Sequence, residues 1–464
     1  MFKQQLAALE SRGFVCGVGL ASLLAVALFP LPVVANPIYG WVHQTAAQGA
    51  EGHLSAPSLN RGYLAYSDTG QDQAVYRRSA DGTVLRVADT ISMNQGPGSW
   101  RPGDASVDEL GDVSFAATLE TSTGAQTSGV FGWTGGQLQT LALSGETAIR
   151  GSTELVGGVG TPVRSFGTTT FSGQSLGSSG LAPALFSTDT SQTEAVIRAG
   201  AVTPTTLPPL PNSGYTGHFD GFGIYAPVDW NERRTTWGPD MAFLGYSTFS
   251  NGQHEVFSEG IFIYTGFHTV DVIAERYMAM PDAATGETFK LLQFSPSISD
   301  GRVAFTADGD KGTKGVYLGE AGKTPVRIAD TLMDGPAGFG KFTGFGGWVS
   351  VVGQSVMFSA TNAAGEEALF VSQDGVLSMV FGQRDFDALF PDEEMFSGQF
   401  GRYGIGVDSF SGNQVGFRIS SFNPSMNAFY DRIMVATAVM PEPHAAGLVL
   451  MALAMAALAR RQRR

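Results

Sequence analysis

Short hydrophobic runs typical of β-strands recur along the chain at nearly constant spacing. One kind of run has a small, an apolar and an aromatic residue in order, and its successive copies begin 55, 55, 76, 55, 53 and 60 residues apart. A fixed period of this length is the signature of a repeat architecture. The seven copies lie at residues 74–76, 129–131, 184–186, 260–262, 315–317, 368–370 and 428–430.

A second β-like run, ending near an aromatic residue, precedes each copy, and a third run follows several of them. The third run is clearest at residues 84–90 and 325–331, where an aspartate lies fifteen residues after the first residue of the copy. Pairs such as Asp81-Gly82 and Asp300-Gly301 supply tight turns between runs. Because no ten-residue stretch of the body has helical periodicity, the body is predicted to be nearly all β.

Runs such as residues 303–307 are apolar on both faces, so both faces of each sheet must be covered. Seven small antiparallel sheets that cover one another predict a seven-bladed β-propeller with blades over about residues 50–438. Little chain follows the last copy, so residues 38–43 are predicted to complete the last blade and close the ring. Two packed β-sandwich domains are the alternative architecture.

The chain carries 43% hydrophobic residues, including 32 phenylalanines, and only 15% charged residues, which is ample for a large core. Its net charge is −14, and the two ends hold six basic and two acidic residues, so the body alone lies near −18. Nucleic acids and anionic lipids bind to basic patches. The charge therefore disfavours nucleic acid as a partner.

The N-terminus has the composition of a secretory signal peptide. Basic residues precede an apolar stretch at residues 14–31, and small residues follow at 33–35, which predicts cleavage after Ala35. Residues 1–35 would then be removed on export. The only cysteine, Cys16, lies in this segment, so the mature chain would contain no thiol, which suits an exported protein.

The C-terminus combines three features in a fixed order. Pro441, Glu442 and Pro443 precede an apolar run over residues 445–459, and the chain then ends in a basic cluster. The run is a minimal transmembrane span at about 1.5 Å per residue. Its basic end predicts an inside C-terminus. The cluster consists of Arg460, Arg461, Arg463 and Arg464.

This tripeptide, short span and basic cluster resemble the PEP-CTERM sorting signal, which the exosortases of Gram-negative bacteria recognise and remove. The resemblance covers residues 439–464. It implies an exosortase partner and transient anchoring of the precursor in the inner membrane, followed by release to the outer surface or extracellular matrix. Residues 330–360 resemble repeat modules of secreted bacterial propeller proteins that carry such tails.

Catalytic motifs are not found in the sequence. The histidines lack the HExxH spacing or any other paired metal spacing, and no G-x-S-x-G elbow occurs in a strand–turn–helix context. No catalytic residue, metal ligand or cofactor is therefore assigned. An acidic stretch at residues 384–394 is a candidate for Ca²⁺, although its spacing does not match an EF-hand, and a solvated acidic connection is the favoured interpretation.

The 76-residue interval contains an apparent insertion at about residues 201–240, rich in proline and aromatic residues. Aromatic rings beside carboxylates and arginines suit sugar binding, so Tyr215, Trp230 and Trp237 are the candidate carbohydrate-binding residues. The alternative is that these rings pack the insertion onto the propeller.

These features predict an exported, non-enzymatic protein of the cell surface or extracellular matrix. Its propeller-like repeat domain would consist of residues 36–438. Exopolysaccharide is its candidate ligand. A secreted propeller polysaccharide lyase or glycosidase is the competing class, and two carboxylates converging in the central channel would favour it. A purely structural spacer is the third hypothesis.

Overall fold

The computed structural model of the chain shows one compact unit, Ile38–Val439. The residues that the structure describes are 40–50, 54–70, 72–93, 99–120, 126–205, 216–229, 240–250, 255–265, 269–282, 286–293, 295–336, 338–395, 403–406 and 408–439.

The described residues form seven antiparallel sheets that follow one another along the chain, here called blades 1 to 7. The first three blades have four strands each. They are β2 (Ser58–Asn60), β3 (Tyr63–Asp68), β4 (Ala74–Arg78) and β5 (Val84–Asp89); β6 (Ser99–Val107), β7 (Val113–Glu120), β8 (Gln126–Thr134) and β9 (Gln137–Leu143); and β10 (Leu155–Ser165), β11 (Thr168–Gly177), β12 (Gly180–Thr188) and β13 (Thr193–Arg198).

Blades 4 to 6 repeat this meander, and blades 5 and 6 each have one short extra strand. They are β14 (Thr216–Asp229), β15 (Asp240–Ser250), β16 (Glu255–Thr265) and β17 (Thr269–Glu275); β18 (Phe289–Leu292), β19 (Ser297–Ser299), β20 (Arg302–Gly309), β21 (Lys314–Glu320) and β22 (Val326–Asp330); and β23 (Asp334–Gly335), β24 (Gly340–Val352), β25 (Ser355–Asn362), β26 (Glu367–Gln373) and β27 (Val376–Phe381).

Blade 7 combines both ends of the compact unit. Its strands are β28 (Glu394–Met395), β29 (Tyr403–Gly404), β30 (Phe410–Ser411), β31 (Gln414–Asn423), β32 (Ala428–Val439) and β1 (Gly40–Ala50). Strand β1 pairs antiparallel with β32, with Gly40 opposite Val439 and Ala50 opposite Tyr430. The predicted closure by the N-terminal segment is confirmed for residues 40–43, and the closing strand continues to Ala50.

The innermost strands form a closed ring around a central channel. Strands β2, β6, β10, β14, β19, β24 and β30 contact one another in this order, and β30 also contacts β2. The seven-bladed propeller predicted from the repeat is therefore confirmed, and the two-sandwich alternative is wrong.

The sequence repeat is explained by aromatic pairs between the two middle strands of a blade. In six blades the aromatic residue of one strand lies directly opposite that of the other, and the rings stack with centroids 5.0–5.7 Å apart. Phe243 opposite Phe262 is an example. The position two residues earlier must be small because the ring leans over it. A Cβ on Gly260 would lie 2.6 Å from the Phe262 ring.

Blades 2 and 3 are joined by a buried group of charges that we call the Arg164 cluster. The Arg164 guanidinium lies 3.3 Å from both the Asp108 and Asp112 carboxylates, and it also donates to the hydroxyls of Thr134 and Thr169. Asp108 accepts three further hydrogen bonds, from the backbone amides of residues 110, 112 and 167. Every charge in the cluster therefore has a partner.

A short helix, α1 (Gln383–Leu389), lies in the acidic stretch between blades 6 and 7. Asp385 accepts a hydrogen bond from the Gly382 amide at its start. Arg432 forms a bidentate ion pair with Glu393, and both N–O distances are 2.7 Å. Several of these carboxylates therefore have structural partners.

Among the described residues, no helix has the length and apolar character needed to cross a membrane. The predicted signal peptide at residues 1–35 and the predicted span at 445–459 lie outside the described residues. Part of the predicted insertion is ordinary blade structure, since residues 216–229 form β14, the innermost strand of blade 4.

Candidate functional site

The inner strands of four blades carry a β-bulge at the same place. Two or more residues of the inner strand lie opposite a single residue of the next strand between Pro102 and Ala105, Val159 and Pro162, Phe222 and Tyr225, and Phe345 and Val349. Each bulge begins with glycine, as at Gly103 and Gly160. Bulges redirect side chains and are common beside functional sites.

Three of these bulges contribute residues to one pocket in the channel. The bulge residues Asp104, Thr161 and Trp348, together with Asp408 and Arg418 of blade 7, line a cavity of about 310 Å³, called here the channel pocket. This volume is at the lower end of the range of about 300–1,000 Å³ for small-molecule sites. The pocket therefore suits a single sugar-sized group.

Asp408 is held in place by serines from two other blades. Its Oδ2 accepts hydrogen bonds from the Ser58 and Ser106 hydroxyls at 2.5 and 2.8 Å. The same serines accept hydrogen bonds from the amides of Val107 and Arg164, each on the inner strand of the following blade. Blades 7, 1, 2 and 3 are thereby linked around one carboxylate.

Asp104 is exposed to the channel and accepts one hydrogen bond, from the Thr161 hydroxyl at 3.3 Å. In the part of the chain that the structure describes, neither Asp104 nor Asp408 forms an ion pair. Burial among protein atoms raises the pKa of Asp104, opposed by Thr161 and Arg418. Burial also raises the pKa of Asp408, which Ser58 and Ser106 oppose and the Asp104 charge reinforces.

Arg418 reaches the pocket from β31, the second strand of blade 7. Gly404 lies opposite it on β29, and a Cβ there would lie 3.0 Å from the Arg418 Nε, so glycine leaves more room for the guanidinium. Arg418 Nη1 donates to the Leu54 carbonyl at 2.6 Å and lies 4.0 Å from the fully buried Asp431 carboxylate.

Among the described residues that line the pocket, Trp348 supplies the only aromatic ring, and 39% of it is exposed. Other tryptophans have partners, since Trp100 packs edge-on against Phe131 and Trp133 lies beneath the Arg77 guanidinium. Trp348 contacts no described aromatic ring and no described cation. With 39% of its surface exposed, the indole is therefore partly open to a ligand.

The residues predicted from sequence to bind carbohydrate, Tyr215, Trp230 and Trp237, lie outside the described residues. Two neighbouring rings do have a defined role, because Phe219 and Phe222 pack against Phe243 in the core. For these two rings, the alternative interpretation therefore holds: they pack against the propeller core.

The sorting residues also lie outside the described residues. They are the expected cleavage residue Ala35, the motif residues Pro441, Glu442 and Pro443, and the cluster Arg460, Arg461, Arg463 and Arg464. Over the described ranges, no group of three or more His, Cys, Asp or Glu side chains is arranged to hold a metal ion.

Sequence reasoning missed Asp104, Trp348, Asp408 and Arg418. The sequence does contain a signal for the first two residues. Asp104 lies between a glycine and the buried Ala105, and Trp348 lies between a glycine and the buried Val349. This arrangement marks a bulge only when the strand register is known.

Comparison with known proteins gives the family. None of the curated proteins matches the chain. A polysaccharide lyase of family PL25, an ulvan lyase, is similar in structure, with a TM-score of 0.41 and 11% sequence identity. The match covers 85% of this chain and 95% of that chain. The β-propeller domain of the Trilobed protease from Pyrococcus furiosus has 11% identity, 73% and 98% coverage, and a TM-score of 0.32.

A puromycin-hydrolysing peptidase of Mycobacterium tuberculosis has 11% identity, 85% coverage of this chain and a TM-score of 0.35. The match spans about half of that peptidase, 55% of its chain. The family model described as "Family of unknown function (DUF7453)" matches residues 59–402, from the first to the last blade. The chain belongs to the DUF7453 family.

Proposed function

We propose that this chain is an exported, non-enzymatic propeller of the cell surface or extracellular matrix that binds an exopolysaccharide in its channel pocket. The observation that carries the binding role is the free indole face of Trp348 beside Asp104, Thr161 and Arg418. A sugar ring offers apolar C–H faces to an aromatic ring and hydroxyls to polar side chains. The pocket contains both kinds of partner.

The test compares retention of two variants on the exopolysaccharide of the native host. Trp348→Ala should lose most of the retention of the wild type because it removes the stacking surface. Phe257→Ala is the matched control, since Phe257 is 67% exposed on β16 and is not among the residues lining the pocket. Equal retention by Trp348→Ala and the wild type, with both folded, would disprove binding in this pocket.

The export and sorting part of the proposal rests on the sequence of the two ends. An extended proline-flanked Glu442 just outside a short span is accessible to an exosortase, and the terminal arginines hold the end inside. Glu442→Ala should leave full-length protein in the membrane fraction. Mass spectrometry of the wild type should find no peptide joining residues 445–459 to the body, and finding one would replace sorting by simple anchoring.

The second candidate is a polysaccharide lyase or glycosidase, favoured by the presence of Asp104 and Asp408 in one pocket. Paired carboxylates with different environments are the machinery of glycoside hydrolysis. Against this role, Asp408 Oδ2 is already occupied by two serine hydroxyls. Release of reducing ends or unsaturated products from the native polysaccharide, abolished in Asp104→Asn, would establish the enzyme and refute a purely binding role.

A further inference from the structure

We infer that the channel pocket selects a positively charged sugar, a protonated amino sugar within a polysaccharide, an inference that rests on the proposed carbohydrate binding. Three observations support it: the unpaired carboxylates, the direction of the one arginine, and the free indole face.

The first observation is the charge of the pocket. Asp104 and Asp408 bring two carboxylates to it without an ion pair to any described residue. The lining residues from blades 1, 3 and 6 are uncharged: Ala56, Thr161, Pro162, Val163 and Trp348. Among the described lining residues, these blades therefore supply no cation to compensate the two aspartates.

Among the described residues that line the pocket, Arg418 is the only cation, and its guanidinium already has one hydrogen-bond acceptor and one carboxylate beside it. Its Nη1 binds the Leu54 carbonyl and faces Asp431, a carboxylate that is fully buried. Asp104 and Asp408 line the same pocket, so among the described residues one guanidinium serves three carboxylates, those of Asp104, Asp408 and Asp431. An anionic ligand would add a fourth negative charge, whereas an ammonium group would supply the missing positive charge.

The third observation is the position of Trp348. A cation placed over an indole face gains electrostatic attraction that a neutral group does not, and tryptophan is the best side chain for this contact. An amino sugar offers the cation and the ring in one unit. A free Ca²⁺ ion fits less well, because it requires about six to eight oxygen ligands and gains nothing from the indole.

The raised pKa values of Asp104 and Asp408 agree with this assignment. Protein atoms crowd both carboxylates, although Asp104 is open to the channel, and no described cation forms an ion pair with either of them. A bound ammonium group would lower both pKa values, so binding should release protons at mildly acidic pH.

Isothermal titration calorimetry on the full chain tests the inference with three oligosaccharides of equal length, made of glucosamine, N-acetylglucosamine and galacturonate. At a pH where the amines are protonated, the glucosamine oligomer should bind about tenfold or more tightly than the N-acetylated one, the advantage expected of a desolvated cation–π contact with ion pairing. The galacturonate oligomer should bind most weakly.

Asp104→Asn should remove most of this preference, because it should weaken glucosamine binding far more than N-acetylglucosamine binding. Asp374→Asn is the matched control, because Asp374 lies at positive φ in the β26–β27 turn, where asparagine is tolerated. Melting curves identify any variant that does not fold. If Asp104→Asn does not fold, the wild type still tests the inference. Its preference for glucosamine should fall as the pH drops, because the two carboxylates become protonated.

Equal affinity for the glucosamine and N-acetylglucosamine oligomers would overturn the charge selection and leave the proposed carbohydrate binding intact. Binding of oligolysine with the same dependence on Trp348 and Asp104 would show that any ammonium group suffices, which overturns the sugar assignment. Binding of none of the three oligosaccharides overturns the inference, while retention on the native exopolysaccharide separately decides the proposed function.

Discussion

The Arg164 cluster and the channel pocket contain the same kinds of side chain in opposite states. In the cluster, Arg164 lies between Asp108 and Asp112, and hydroxyls and backbone amides satisfy the remaining atoms. In the pocket, Asp104 and Asp408 have no ion pair among the described residues. Burial raises the pKa of both Asp108 and Asp408, but at Asp108 the Arg164 charge and three amides oppose it.

This difference indicates two roles for charged side chains: those of the Arg164 cluster stabilise the propeller, and those of the channel pocket are open to binding a ligand. Buried charges normally have partners because taking an ion out of water is costly. The cluster meets this requirement within the protein. In the pocket, the described residues give Asp408 only serine hydroxyls and leave Asp104 open to the channel, so the proposed ligand would supply the countercharge.

The largest effect should come from deleting Gly40–Ala50, because β1 completes blade 7 and blade 7 carries Asp408. Loss of β1 exposes the β32 edge and should unfold blade 7 first. Native-state hydrogen exchange should show fast exchange in β31 and β32, with protection retained beside Arg164. Uniform exchange in all blades would instead show that the ring unfolds as one unit.

Arg164→Ala should destabilise the fold by about 3–5 kcal/mol, since it leaves the buried Asp108 and the partly buried Asp112 without a countercharge. Asp104→Ala is the paired variant and should change stability by about 0.5 kcal/mol or less, as expected of an exposed residue. Urea unfolding measures both. Similar losses in the two variants would remove the distinction between cluster and pocket.

The smallest effect is the pH dependence of Asp408→Asn. Because folding raises the pKa of Asp408, its stabilising contribution is complete below the unfolded value of about 3.9 and is lost as the pH rises through the folded value. Asparagine keeps an acceptor for Ser58 and Ser106 but cannot ionise. The variant should therefore gain stability relative to the wild type between pH 4 and pH 7. A difference in unfolding free energy that is constant over this range, or that favours the wild type at pH 7, would contradict the assigned shift.

The ring could be predicted from the sequence because each blade repeats the same cross-strand aromatic pair at a fixed offset. The closing strand followed from the missing strand after the last repeat. The 76-residue interval was harder to interpret, since the prolines and aromatic residues around β14 suggested an insertion and not an inner strand.

The pocket could not be predicted, because its residues come from different blades and meet only after the ring closes. Asp104 and Asp408 are 304 residues apart, and neither belongs to a recognisable motif. The bulge that turns Trp348 toward the channel depends on strand register, which hydrophobic spacing does not specify.

The register of the closing strand also determines how the propeller responds to force. Gly40 and Val439 lie opposite each other at the same end of the β1–β32 pair. A pull applied between these two residues therefore loads the hydrogen bonds one after another, as in opening a zipper, and not all at once as in shear. Single-molecule stretching from these points should detach β1 at low force before the other blades extend, so the ring has a mechanically weak seam.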